Sequence, residues 1–146
     1  MNTKNVTVVI GEDDDGHALL VRKNLERVGF SGAFVRLRDG REVLEYFTGD
    51  PPPAAALRNT LLLLDINMPQ MDGIEALRRL RANPATARLP VIMLTTTDSP
   101  REVARCYELG CNMYMTKPVV YEHFVDAIAR LGSFLAVVRV PTDAAD

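Results

Sequence analysis

The stretch Leu61-Leu62-Leu63-Leu64-Asp65-Ile66-Asn67-Met68-Pro69-Gln70-Met71-Asp72-Gly73 decides how this chain folds. Four consecutive leucines without polar alternation are the pattern of a central parallel strand buried on both faces, and the run stops abruptly at a carboxylate. Gly73 then opens a segment with Ile74, Leu77 and Leu80 at helical spacing. A buried strand followed by an amphipathic helix is part of a β-α-β unit, so Asp65 is expected at the C-terminal edge of a parallel sheet.

The same unit recurs on either side. Val6 to Ile10 reads as a first strand, and Ala18, Val21, Leu25 and Val28 follow at steps of three or four until Gly29 stops the helix. Ala33 to Leu37 reads as a second strand, Asp39-Gly40 as its turn, and Val43, Leu44 and Phe47 as one face of a short helix closed by Gly49. Pro51-Pro52-Pro53 forms a connecting loop, because proline cannot continue a helix. Val91 to Leu94 is a fourth buried strand ending at Thr95, and Ser99-Pro100 opens the next helix, with Glu102 in its first turn and Gly110 at its end. Asn112 to Met115 is a fifth strand, and Tyr121 to Arg130 supplies a last helix through Phe124, Ile128 and Leu131. Five such units predict an α/β fold with a doubly wound parallel sheet and helices on both faces. Leu135 to Val140 is an apolar, β-branched tail that the five units leave unexplained. The domain expectation is therefore a core over 1–132 and a C-terminal extension over 133–146.

Composition narrows the function. The 146 residues are 47% hydrophobic and 25% charged, the mix of one soluble core. A net charge of −2 offers no basic excess to neutralise a nucleic-acid backbone. The apolar runs are strand-length, far short of a bilayer span, and the N-terminus lacks the apolar core of a secretory signal, so a cytoplasmic protein without membrane partners is expected. Cys106 and Cys111 fit neither a redox pair nor a zinc knuckle and read as buried thiols.

Ligands of open α/β sheets bind outside the carboxyl ends of the strands, which makes the polar residues there the candidates. The first strand runs into Glu12-Asp13-Asp14-Asp15, the third ends in Asp65, the fourth in Thr95, and the fifth runs into Lys117-Pro118. Converging carboxylates repel one another unless a cation sits between them, and an all-oxygen donor set suits a hard metal such as Mg²⁺. Asp14 and Asp15 read instead as a solvated loop or as the N-cap of the first helix. Lys117 is placed to pair with Asp65 and with phosphoryl oxygens attached to it, and Pro118 gives the preceding peptide bond access to the cis form. Thr95 either satisfies its own strand end or hydrogen-bonds a phosphoryl group.

Together, Glu12-Asp13, Asp65 within Asp-Ile-Asn-Met-Pro-Gln-Met-Asp-Gly, Thr95 after Val-Ile-Met-Leu, and Lys117-Pro118 resemble the receiver domains of two-component response regulators, over about residues 6 to 130. The resemblance implies a flavodoxin-like sheet of order 2-1-3-4-5. It implies that Asp65 accepts a phosphoryl group from a phosphohistidine on a sensor histidine kinase. Asp13, Asp65 and the backbone carbonyl of Asn67 would hold Mg²⁺, with Glu12 acting through a metal-bound water. Thr95, Thr96 and Lys117 would meet the phosphoryl group, and Tyr114 would turn inward as Thr95 moves. The face from about Pro100 to Arg130 would carry the output. Gly11 and Thr96 depart from the residues usual at their places, and Asn67 and Thr97 occupy positions that tune phosphate lifetime.

Twenty-eight residues follow Pro118, too few for a DNA-binding or enzymatic output domain. A single-domain regulator is expected rather than an enzyme. Its tail and proline-bearing loop resemble the subgroup paired with bacterial phytochrome histidine kinases, in which the last helix and tail support a homodimer. A downstream phosphotransfer protein is a further expected partner. Two other readings compete. A phosphatase similar to the haloacid dehalogenases would need a second carboxylate where Asn67 stands, and a receiver-like interaction module without phosphorylation would be marked by loss of Asp65 or Lys117.

Overall fold

The computed structural model describes residues 6–27, 29–49, 59–96, 99–117, 122 and 126. Within them the chain runs β1 (Thr7–Gly11), α1 (Asp15–Arg27), β2 (Ala33–Leu37), α2 (Gly40–Thr48), β3 (Thr60–Asp65), α3 (Gly73–Ala82), β4 (Val91–Thr95), α4 (Pro100–Glu108) and β5 (Met113–Thr116). The strands form one parallel sheet in the order β2-β1-β3-β4-β5. This is the flavodoxin-like, doubly wound topology expected from the alternating pattern.

The four leucines explain themselves once the layers are in place. Leu61 and Leu63 pack with Val8, Ile10, Val21 and Leu25, on the side of the sheet covered by α1. Leu62 and Leu64 pack with Val9, Val43, Phe47, Leu77 and Leu80, on the side covered by α2 and α3. Every residue of β3 is buried, so a polar residue on either face would have cost a hydrogen bond or a charge. Burial of each leucine contributes roughly 1.5–3 kcal/mol.

Several local expectations are corrected. Asp39-Gly40 is not a free turn: Asp39 is the N-cap of α2, its side chain accepting from the Glu42 amide at 2.8 Å. The fifth strand begins one residue late: Asn112, just before it, donates its backbone amide to the Val91 carbonyl at 2.9 Å and accepts from the Val91 amide on its side-chain Oδ1 at 2.8 Å, tying down the start of β4. Ser99 precedes α4, but its side chain makes no cap hydrogen bond. Gly29 and Gly110 have φ of +86° and +100°, the left-handed geometry that ends α1 and α4. Cys106 and Cys111 are buried free thiols, and burial pushes Cys111 up to about 12.

Among the described residues no helix is long and apolar enough to cross a membrane. Pro118, most of the expected last helix, and the tail over 133–146 lie outside the described residues.

Candidate functional site

The chain leaves β1 toward β2 on one side of the sheet and leaves β3 toward β4 on the other. The two neighbouring strand ends therefore open a crevice between diverging connections. Glu12 and Asp13 follow β1 directly, and Asp65 ends β3. One carboxylate oxygen from each of Glu12, Asp13 and Asp65 lies within 4.8 Å of the others. Glu12 and Asp65 are buried, 1% and 3% exposed, while Asp13 faces solvent.

Lys117, just past β5, reaches across β4 and β3 into this cluster. Its backbone amide donates to the Thr95 carbonyl at 2.6 Å, which fixes the side chain's origin beside the end of β4. Its Nζ bonds Glu12 Oε1 and lies 3.2 Å from Asp65 Oδ2. It also lies 3.1 Å from His17 Nδ1. The same His17 Nδ1 lies 3.7 Å from Glu12 Oε1. His17 is a site neighbour that sequence reading missed. Its position in the first turn of α1, close behind the acidic run, is the signal that could have found it.

Of the two residues read as a cap or solvated loop, Asp14 caps α1 and Asp15 forms an exposed ion pair. Asp14 Oδ1 accepts from the His17 amide at 2.9 Å, capping α1. Asp15 pairs with Arg36 Nη1 at 2.6 Å, while Arg36 Nε donates to the Glu12 carbonyl at 2.9 Å. Arg36 thus straps the β1–α1 loop and holds the backbone that presents Glu12 and Asp13. Spacing gave no hint of it, because the contact runs between sheet neighbours.

The cluster fits a divalent cation. Its donors are all carboxylate oxygens, and Asp65 Oδ1 is buried without a hydrogen-bond partner, a costly state for a carboxylate unless a cation or another donor meets it. Burial and the neighbouring Glu12 push the Asp65 carboxyl up to about 7, with Lys117 opposing them. Between its ordinary value of 3.8 and about 7 the folded protein binds a proton that the unfolded chain does not, so stability falls as pH rises through that window. We expect a divalent cation to raise the melting temperature clearly at pH 8 and hardly at pH 5.5. Without cation, Asp65→Asn should be more stable than wild type at pH 8 by about 1–2 kcal/mol. Cation effects of equal size at the two pH values would contradict this account.

Thr95 is fully buried at the end of β4, and its Oγ1 donates to Glu102 Oε1 on α4 at 3.2 Å. Register pairs Met93 with Tyr114 and Thr95 with Thr116, so Tyr114 lies on the same sheet face as Thr95, half-buried. Thr96 and Asn67 are exposed beside the strand ends. The structure thus brings Glu12, Asp13, Asp65 and Lys117 together directly, with Thr95 alongside. Thr96, Asn67 and Tyr114 lie at the margin, and Pro118 falls outside the described residues.

Comparison with known proteins bears on the fold and the family. The family model for the response regulator receiver domain matches residues 8–129. A receiver domain from Rhodospirillum rubrum is 47% identical and superposes with a TM-score of 0.74, covering 90% of this chain and 94% of that one. Response regulator Rcp1 of Synechocystis sp. is 30% identical over 135 residues, 92% of each chain. The Mn²⁺-bound structure of Rcp1 superposes with a TM-score of 0.70 at 30% identity, over 88% of this chain and 93% of that one. RPA3017, a response regulator in red light signalling of R. palustris, is 33% identical with a TM-score of 0.71, over 88% and 92% of the two chains. With the sheet order, the acid cluster and the crossing lysine all in place, this chain belongs to the response regulator receiver domain family.

Proposed function

We propose that this chain is a phosphoryl-accepting response regulator receiver domain, and that Asp65 is the acceptor. The observation that carries the reading is Asp65 itself, buried at the crevice with one oxygen facing Lys117 and the other without a hydrogen-bond partner. In the transfer, the N–P bond of a donor phosphohistidine breaks and an O–P bond to the Asp65 carboxylate forms. Asp13, Asp65 and the Asn67 carbonyl would hold Mg²⁺, with Glu12 behind them. The cation supplies positive charge that offsets repulsion between the carboxylates and the incoming phosphoryl oxygens. Lys117 turns from Glu12 and Asp65 toward those oxygens, and Thr95 and the exposed Thr96 meet them from β4. Tyr114 moves on the same sheet face as Thr95. Hydrolysis by water returns Asp65 to its free form.

The donor we infer is a cytoplasmic sensor histidine kinase, of the bacterial phytochrome type in view of the similarity to the bacteriophytochrome response regulators RtBRR and AtBRR. A second copy of this chain, engaged through 133–146, and a downstream phosphotransfer protein are the other proposed partners. Incubation with acetyl phosphate and Mg²⁺, read by intact-protein mass, should give one phosphoryl adduct that EDTA prevents and Asp65→Asn lacks. No adduct after rapid quenching would favour an interaction module that works without phosphorylation.

A further inference from the structure

The contact between Thr95 and Glu102 has a role that the phosphoryl site alone does not assign. Thr95 is 0% exposed, and its Oγ1 lies 3.2 Å from Glu102 Oε1. A threonine hydroxyl has one proton and can donate to one acceptor at a time. Glu102 cannot drift freely: Pro100 stands at the start of α4, and Cys106, one turn beyond Glu102, is fully buried in the core between sheet and helices. The helix therefore brings the Glu102 carboxylate up to the end of β4.

We propose that Glu102 is the resting-state acceptor of the Thr95 hydroxyl, and that a phosphoryl group on Asp65 must take that proton away from Glu102. Glu102 is thus a positioning residue that acts through Thr95. The exchange does two things at once. It sets a threshold, because a bond to an ionised acceptor is lost before the phosphoryl group gains its own. It also carries the event outward, because the carboxylate released from Thr95 belongs to the first turn of α4. Linkage makes the coupling reciprocal: a cationic partner group that draws Glu102 off Thr95 raises affinity for the phosphoryl group by the same factor.

The inference rests on Asp65 being the phosphoryl acceptor, and the test separates the two. Wild type, Glu102→Gln, Glu102→Ala and Asp65→Asn are titrated with beryllofluoride, a phosphoryl mimic that binds carboxylates, in the presence of Mg²⁺. Binding is followed by the backbone amide resonance of Thr95. Glu102→Ala should bind the mimic about tenfold more tightly than wild type, equivalent to about 1.4 kcal/mol. Glu102→Gln should fall between them, since an amide oxygen still accepts but without charge. In a Thr95→Val background the Glu102→Ala gain should vanish. A helix merely damaged by the substitution would weaken binding rather than tighten it. Unchanged or weaker binding in both Glu102 variants, with wild type saturating normally, overturns the inference alone. Wild type binding no better than Asp65→Asn overturns the assignment of Asp65, and the inference falls with it.

Discussion

Lys117→Met should lower the unfolding free energy of the cation-free protein by about 3 kcal/mol at pH 8 and abolish phosphoryl uptake from acetyl phosphate. Lys117 Nζ is the cation shared by Glu12 and Asp65, whose side chains are 1% and 4% exposed. Removing it leaves two buried carboxylates facing each other, and breaking such an arrangement from one side costs more than the pair contributes when intact. The deficit should shrink at pH 5.5, because the Asp65 carboxyl, already near 7 with the lysine present, holds its proton there. Added Mg²⁺ should recover part of the stability at pH 8, since it replaces the missing positive charge, but not the uptake. Urea unfolding at the two pH values, with and without Mg²⁺, checks each part. A loss that is independent of pH would mean that packing of the lysine stem, rather than its charge, is what matters.

Gly73→Ala should be comparably damaging, at about 3 kcal/mol, for a steric reason. A Cβ at Gly73 would lie 2.1 Å from the Asp65 carbonyl oxygen and 2.9 Å from its carbon, both backbone atoms that no rotamer change can move aside. The close approach arises because the Gly73 amide donates to the Ile66 carbonyl at 2.8 Å, pinning the start of α3 to the end of β3. Forcing them apart displaces the residue that carries the proposed chemistry, so phosphoryl uptake should fall in the fraction that still folds. Gly16→Ala is the matched control. Its Cβ would meet only the Asp14 side chain, at 3.3 Å, and stability should change by less than about 1 kcal/mol. Thermal unfolding of the two variants side by side distinguishes a steric requirement at Gly73 from a general sensitivity to alanine.

The sequence pattern carried most of the architecture because a parallel sheet buried on both faces leaves an unambiguous signature. Leu61 to Leu64 and Val91 to Leu94 lie in strands that are buried throughout. The polar residues that interrupt such runs fall at strand ends by necessity, and so Glu12, Asp13, Asp65, Thr95 and Lys117 could be grouped before any coordinates. Side-chain choices between competing partners were less legible. Asn112 places its amide oxygen between Val91 and Arg81, contacts made across 21 and 31 residues of chain. Asp39 could be a turn or a cap until α2 places the Glu42 amide above it. His17 and Glu102 sit in the first turns of α1 and α4, and only the packing of these helices against the strand ends brings them to Lys117 and Thr95. The clash behind Gly73 was hidden for the same reason, since a motif lists residues but not the carbonyl that one of them must clear.

The central claim is that Asp65 is the residue that accepts the phosphoryl group. Protein phosphorylated in the presence of Mg²⁺ is treated with borohydride, which reduces an acyl phosphate to the alcohol and so converts the modified aspartate to homoserine, and the peptides are then sequenced by tandem mass spectrometry. The account predicts homoserine at position 65, absent when Mg²⁺ is chelated and unaccompanied by homoserine at Asp13 or Asp14. Homoserine at one of those residues instead, with Asp65 recovered intact, would contradict it.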